Sequence, residues 1–450
     1  MPRGSAVRAL LALAMPMVLA RATQSVIMFA DALQVSHLGP RALAATATGG
    51  LNVIGVTMLP IGIVFIIQSF VAQLAGRGDR DDTPRFAWYG LAIAAVTAVI
   101  AAAAVPAIDG VLGLAGFSPE THELMTEYMT IRMFAVGAAV GMEALGNWYG
   151  GLGNTWMQMV AGIIAMVANV ILNWILIDGH LGAPALGVQG TALASTIATW
   201  LGFGFLAIAF WRRWGGAPRA RTRRLSSHEL GRVVRFGLPN GLNWFLEFAA
   251  FQLFVNGVMG SLGDETVAAL NVVLAVNSVA FMPAFGLASA GAILAGQAIG
   301  GGCRDEVWPF VKTTLVCTGT WMVLVAILYL VFPGPVLGLF SSKHSTNLVA
   351  LGSTMLVISA LWQVFDATAM TFSETLRAAG DTFWTAAARI VLAWCVFTPA
   401  AFLVVGVADG GAIGAMLCLV AYIALLALAL VYRFQSGVWR TIELIEPKLV

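Results

Sequence analysis

Ala412-Ile-Gly-Ala-Met-Leu-Cys-Leu-Val-Ala-Tyr-Ile-Ala-Leu-Leu-Ala-Leu-Ala-Leu-Val431 decides the fold class. It is apolar on every face of a helix and long enough to cross a bilayer, which takes roughly 20 such residues. Leu91–Val105 reads the same way. A transmembrane barrel strand would alternate apolar and polar over about 10 residues, so these runs predict helices. The whole chain agrees with this stretch: of 450 residues, 59% are hydrophobic and 10% charged. Mean hydropathy is +0.87. Soluble domains run at about 25% charged, so the surplus excludes a soluble enzyme, and the same arithmetic excludes disordered and fibrous chains.

Twelve apolar spans are expected, at roughly 8–36, 43–76, 86–115, 123–150, 157–178, 186–212, 230–260, 266–300, 308–340, 346–377, 382–407 and 410–434. The first follows Arg3 and Arg8 like a signal peptide. It runs past Pro16 to Asp31 without a small-residue cleavage site, so it is read as a mature helix. Of 24 Lys and Arg, 18 fall on the side holding the N-terminus, with only Arg41 and Lys343 opposite and Arg21, Arg132, Lys312 and Arg389 within spans. The positive-inside bias puts both termini and the arginine-rich connection in the cytoplasm. That connection carries Arg212, Arg213, Arg219, Arg221, Arg223, Arg224, Arg232 and Arg235. Beside a span, such a cluster signals orientation rather than nucleic acid, and no nucleic-acid partner is expected.

The connection also divides a repeat. Pro16 matches Pro239 and Pro60 matches Pro283 at an offset of 223. Leu38-Gly39 matches Leu262-Gly263, Gln73–Gly76 matches Gln297–Gly300, and Gly187 and Gly190 match Gly411 and Gly414 at 224. Gly153-Asn-Thr155 matches Gly380-Asp-Thr382 at 227. The expected organisation is 1–214 as a first lobe of six spans, 215–229 as a basic linker, and 230–450 as a second lobe of six. An even number of spans per half makes the repeat parallel, the arrangement of a rocking secondary transporter.

A carboxylate at the bilayer centre costs about 2.5–3.5 kcal/mol, so it is expected to face a cavity or a partner. Glu247, in Gly241-Leu-Asn-Trp-Phe-Leu-Glu-Phe-Ala, has no basic residue near it in sequence, and Asp366 sits in Leu361-Trp-Gln-Val-Phe-Asp-Ala-Thr. Each is expected to be protonated, cation-bound or cavity-facing. Asp31 is late in its span, where a solvated helix end competes with a site. Glu143 and Glu374 lie near cytoplasmic ends, where ion pairs such as Glu374 with Arg377 are expected. Asn169 and Asn173 share one helix face; they either glue helices together or supply neutral oxygens to a hard cation.

No Walker A sequence, H-E-x-x-H or G-x-S-x-G occurs. His37, His122, His180, His228 and His344 form no cluster, and Cys303, Cys317, Cys395 and Cys418 have no metal spacing. An enzyme is therefore not expected, and neither is a cofactor.

Several segments resemble the multidrug and toxic compound extrusion (MATE) family, in particular its NorM-like branch. They are Pro16 with Phe29-Ala-Asp31, Leu38-Gly39 and Ala42-Leu-Ala-Ala45; Asn169-Val-Ile-Leu-Asn173-Trp with Gly187-Val-Gln-Gly190-Thr191; Gly237-Leu-Pro239 with Glu247; and Asp366 with Leu376-Arg-Ala-Ala-Gly380-Asp-Thr382. The resemblance covers nearly the whole chain. It implies an all-α polytopic membrane protein of twelve helices, in two six-helix lobes around a central cavity. It further implies antiport of amphiphilic, often cationic compounds against protons or sodium, by a monomer in the cytoplasmic membrane. It assigns Asp31, Asn169, Asn173 and Thr191 to a cation or proton site of the first lobe, and Glu247 and Asp366 to a cation or substrate site of the second. Some relatives carry a tyrosine one turn before the tenth-helix aspartate. Trp362 stands there in this chain and offers no oxygen to sodium. The runner-up is a lipid or lipid-linked oligosaccharide flippase of related fold, which the excess of in-span carboxylates disfavours.

Overall fold

The computed structural model describes residues 3–114, 116–219, 225–338 and 346–446. Arg221, Arg223, Arg224, Lys343 and His344, and positions 220–224 of the expected linker, lie outside the described residues. The described residues are helical, with no strand among them. Eleven helices are long and apolar enough to cross a membrane, and one bent pair supplies a twelfth. They are α1 (Ala6–Leu38), α2 (Pro40–Gly76), α3 (Arg80–Gly113), α4 (Pro119–Met133 with Val136–Gly151), α5 (Trp156–Asp178), α6 (Gly187–Arg212), α7 (Ser227–Leu262), α8 (Asp264–Gly300), α9 (Arg304–Val331), α10 (Val349–Ala379), α11 (Thr382–Gly406) and α12 (Gly411–Gln435).

Two elements differ from the sequence reading. Expected as one span at 123–150, α4 is a pair of helices bent by 44° after Met133. The carbonyls loosened there are taken by α6: Thr196 Oγ1 donates to Ile131 O at 3.3 Å and Trp200 Nε1 to Phe134 O at 3.1 Å. A helix kinks where side chains take over such carbonyls. The ninth span, expected to reach 340, ends at Val331. Phe332, at φ −128° and ψ 48°, precedes Pro333, and a residue before proline is pushed out of the helical region.

The repeat is written in the backbone. Gly39 and Gly263 adopt φ of 104° and 101°, Gly153 and Gly380 85° and 92°, and Gly187 and Gly411 53° and 56°. These left-handed values favour glycine, so the matched glycines mark the same turn in each half.

The chain packs as two compact units. One is Leu19–Gly241; the other joins Met1–Val18 to Leu242–Val450. Helices α1 and α7 thus change unit midway, each two residues beyond a proline, Pro16 and Pro239. The start of α7 is held in the first unit by Asn240 Nδ2, which donates to Gly62 O at 2.7 Å, and by Glu229, which meets Arg85 at 3.1 Å and Tyr89 at 2.8 Å. The start of α1 is held in the other unit by Leu10, Ala14 and Met17 packed on Ala290 and Ile293. Because lipid is as apolar as leucine, packing rests on close approach at small residues. A Cβ at Gly190 would lie 2.4 Å from Leu176 O, and one at Gly162 2.8 Å from Thr23 Oγ1. These two glycines draw α6 onto the end of α5, and α5 onto α1.

Candidate functional site

In the Leu19–Gly241 unit, the close approach of α1, α5 and α6 brings four polar side chains together. Asn169 and Asn173, one turn apart on α5, are fully buried. Asn173 Nδ2 donates to Asp31 Oδ1 at 2.5 Å, and Ser195 Oγ donates to Asp31 Oδ2 at 3.2 Å. Asn169 Nδ2 in turn donates to Ser195 Oγ at 3.0 Å. Asp31 is therefore an interior carboxylate with an amide and a hydroxyl on its two oxygens, and not a solvated helix end.

Thr191 is fully buried one turn before Ser195 on α6, and neither its hydroxyl oxygen nor Asn173 Oδ1 has a hydrogen-bond partner among the described residues. A carboxylate, the orphaned oxygen of the Asn173 amide bonded to it and the orphaned hydroxyl one turn from Ser195 form a donor set that suits a proton or a small hard cation. Ser195 was not singled out from the sequence. The available signal was its position four residues after Thr191, on the same helix face. Arg132, just before the α4 bend, acts on Asp31 through its charge, and its Nε and Nη1 make no hydrogen bond among the described residues.

In the other unit, Glu247 of α7 is not alone. Arg389 of α11, 142 residues away, donates from Nη1 to Glu247 Oε2 at 2.8 Å. Tyr422 OH of α12 donates to Oε1 at 3.4 Å. Arg389 Nη2 reaches Ser373 Oγ at 3.4 Å. Asp366 of α10 lies near enough for its charge to act on both Glu247 and Arg389. The sequence located both carboxylates but not their cation, because helix faces select partners without regard to separation along the chain. An arginine inside an apolar span was the signal for it. Trp362 is buried beside Asp366 in sequence, and the adjacent Gln363 donates to Asn277 Oδ1 at 2.7 Å.

Two other in-span acids that the sequence singled out are paired with arginines. Glu143 receives Arg21 through two bonds of 2.9 and 3.2 Å. Glu374 pairs with Arg377 at 2.5 Å, the pairing the sequence suggested.

Comparison with known proteins places this geometry in context. The sequence model of the MatE family matches residues 16–175 and 242–403. A probable multidrug resistance protein NorM of Pseudomonas putida is 28% identical over 441 residues, covering 96% of this chain and 94% of its own. The multidrug resistance protein NorM of Aliivibrio fischeri is 27% identical, covering 89% of this chain and 87% of its own. Among solved structures, a MATE protein in complex with MaL6 superposes with a TM-score of 0.89 at 21% identity, over 97% of this chain and 98% of that one. An outward-facing multidrug resistance MATE family transporter of the MOP superfamily gives 0.87 at 21% identity, with 97% of each chain covered.

Proposed function

The chain belongs to the MatE family, and from that premise we propose that it is a cation-coupled secondary antiporter exporting amphiphilic, cationic small molecules by alternating access. Its relatives, named as multidrug resistance proteins, support the efflux reading. The observation that carries it is the Asp31 cluster: an interior carboxylate, hydrogen-bonded by Asn173 and Ser195, with the Asn173 oxygen and the Thr191 hydroxyl one turn before Ser195 unpartnered among the described residues. An ionisable group in a spanning helix, without an arginine bonded to it, is by default part of an ion path.

The mechanism follows from linkage. Drug and coupling ion oppose one another only if each has a different affinity for the inward and outward states. A proton or sodium ion on Asp31 cancels its charge and takes up oxygens now bonded to α5 and α6, so the fit of α1 against them changes with loading. Glu247 and Asp366 supply the anionic side of a substrate site in the other unit.

We read proton coupling as the better fit. Both Asp31 oxygens already accept hydrogen bonds, and a proton needs a single further lone pair there, whereas a sodium ion needs several oxygens at once. The cytoplasmic membrane, with both termini inside, follows from the basic bias of the loops, and a monomer suffices for this scheme.

The test is export from proteoliposomes driven by an imposed pH gradient or an imposed sodium gradient. Export of a fluorescent lipophilic cation that follows pH alone upholds the reading. Export that follows sodium alone overturns the proton assignment, and no gradient-driven export overturns the antiport.

A further inference from the structure

The ion pairs of the Leu242–Val450 portion are built differently from one another. Arg433 grips Asp381 with two bonds, at 2.6 and 3.2 Å, and the Asp381 side chain is only 3% exposed. Arg377 holds Glu374 with two bonds, and the Glu374 side chain is 8% exposed. Such forks are the strong form of an arginine–carboxylate pair.

Arg389 meets Glu247 through one nitrogen only, and 36% of the Glu247 side chain is exposed against 17% of Arg389. Among the described residues the second nitrogen of Arg389 holds only Ser373, over a long 3.4 Å bond. Glu247 is thus the reachable end of the pair, and its cation is held less firmly than in either fork. A pair meant only for packing would be served as well by apolar residues.

The charge count points the same way. Glu247 and Asp366 bring two negative charges and Arg389 brings one positive charge, so the cluster is one cation short of neutrality when both acids are ionised.

We propose that Arg389 is a tethered stand-in for the substrate's cation: a monovalent organic cation takes Glu247 from it, and the released guanidinium moves to Asp366. This rests on the export reading above and adds a specificity rule to it. One added positive charge completes the cluster, whereas two would leave an excess charge in a low-dielectric interior, which is costly. Arg389 is then the residue that selects monocations over dications.

The test uses two probes of similar size, the monocation N-methyl-phenylpyridinium and the dication methyl viologen. Equilibrium binding is measured on the purified full chain at pH 8. Wild type is expected to favour the monocation. Arg389→Gln opens a second cationic place and shifts the affinity ratio toward the dication by about tenfold or more. Arg389→Lys keeps the charge and shifts the ratio less.

A merely structural arginine could weaken binding of both probes but would not move the ratio toward the dication. An unchanged ratio in folded Arg389→Gln overturns the proposal. If that variant does not fold, Asp366→Asn decides: it leaves Glu247 and Arg389 neutral together, and monocation affinity should fall about tenfold. Unchanged monocation affinity in Asp366→Asn then overturns the proposal. A wild type that neither binds nor exports the monocation overturns the export reading itself. Normal export of it with an unmoved ratio in Arg389→Gln overturns only the role of Arg389.

Discussion

Replacing Asp31 by Asn removes one charge and almost no volume, so it separates the site's chemistry from its architecture. In the native cluster Asp31 accepts one bond from Asn173 and one from Ser195. An asparagine keeps an oxygen for the Asn173 amide. Its new amide faces Ser195, whose oxygen still has a lone pair to accept it. Two charge-assisted bonds become two neutral ones, at about 1 kcal/mol each. The protein should therefore fold and insert, with a small loss of thermal stability.

Coupling should fare differently. One proton per cycle delivers about 1.4 kcal/mol for each unit of pH gradient, or roughly tenfold substrate accumulation per unit. The variant carries no ionisable group at position 31 and should lose that dependence. The assay is uptake of a lipophilic cation into everted vesicles or proteoliposomes over a series of imposed pH differences. Wild type should rise by up to about tenfold per unit, and Asp31→Asn should stay flat near equilibration. An Asp31→Asn protein whose accumulation still tracks the gradient would refute the reasoning and leave Asp31 a helix-gluing residue.

Three further outcomes are expected. Cysteine labels in the Arg212–Arg235 connection and at both termini should react only from the cytoplasmic side; labelling from outside would invert the orientation and with it the direction of transport. Glu247→Gln and Asp366→Asn should each reduce gradient-driven export, and the double variant should lose less than the product of the two, since residues acting on one site are not additive; strictly multiplicative losses would mean two separate sites. Gly190→Ala places a methyl group 2.4 Å from Leu176 O and should destabilise by about 1–3 kcal/mol in detergent melts, while also weakening coupling through displacement of Thr191; unaltered stability would mean that α6 does not depend on this close approach.

What the sequence determined by itself is the set of spans and their doubling. A segment in lipid must satisfy its backbone internally and present apolar side chains all round, whatever its neighbours are, so a run such as Ala412–Val431 declares itself without tertiary information. The repeat was legible because the same backbone turns recur: Gly39 and Gly263 must both reach a φ that other residues avoid. Asp31, Asn169 and Asn173 stood out because polar groups in spans are costly, and spacing alone put the two amides on one face.

Partnership was left to the tertiary structure. Ser195 bonds to Asp31 across 164 positions, and Arg389 reaches Glu247 across 142. The bend in α4 exists because Thr196 and Trp200 of another helix take its carbonyls. Met1–Val18 likewise groups with Leu242–Val450, where Leu10, Ala14 and Met17 pack on Ala290 and Ile293. The physical reason is the same in each case. Hydrophobicity fixes that a segment lies in the membrane, but it is nearly indifferent to rotation and neighbour. The few polar contacts that choose rotation and neighbour act over a few ångströms in space and carry no signature along the chain.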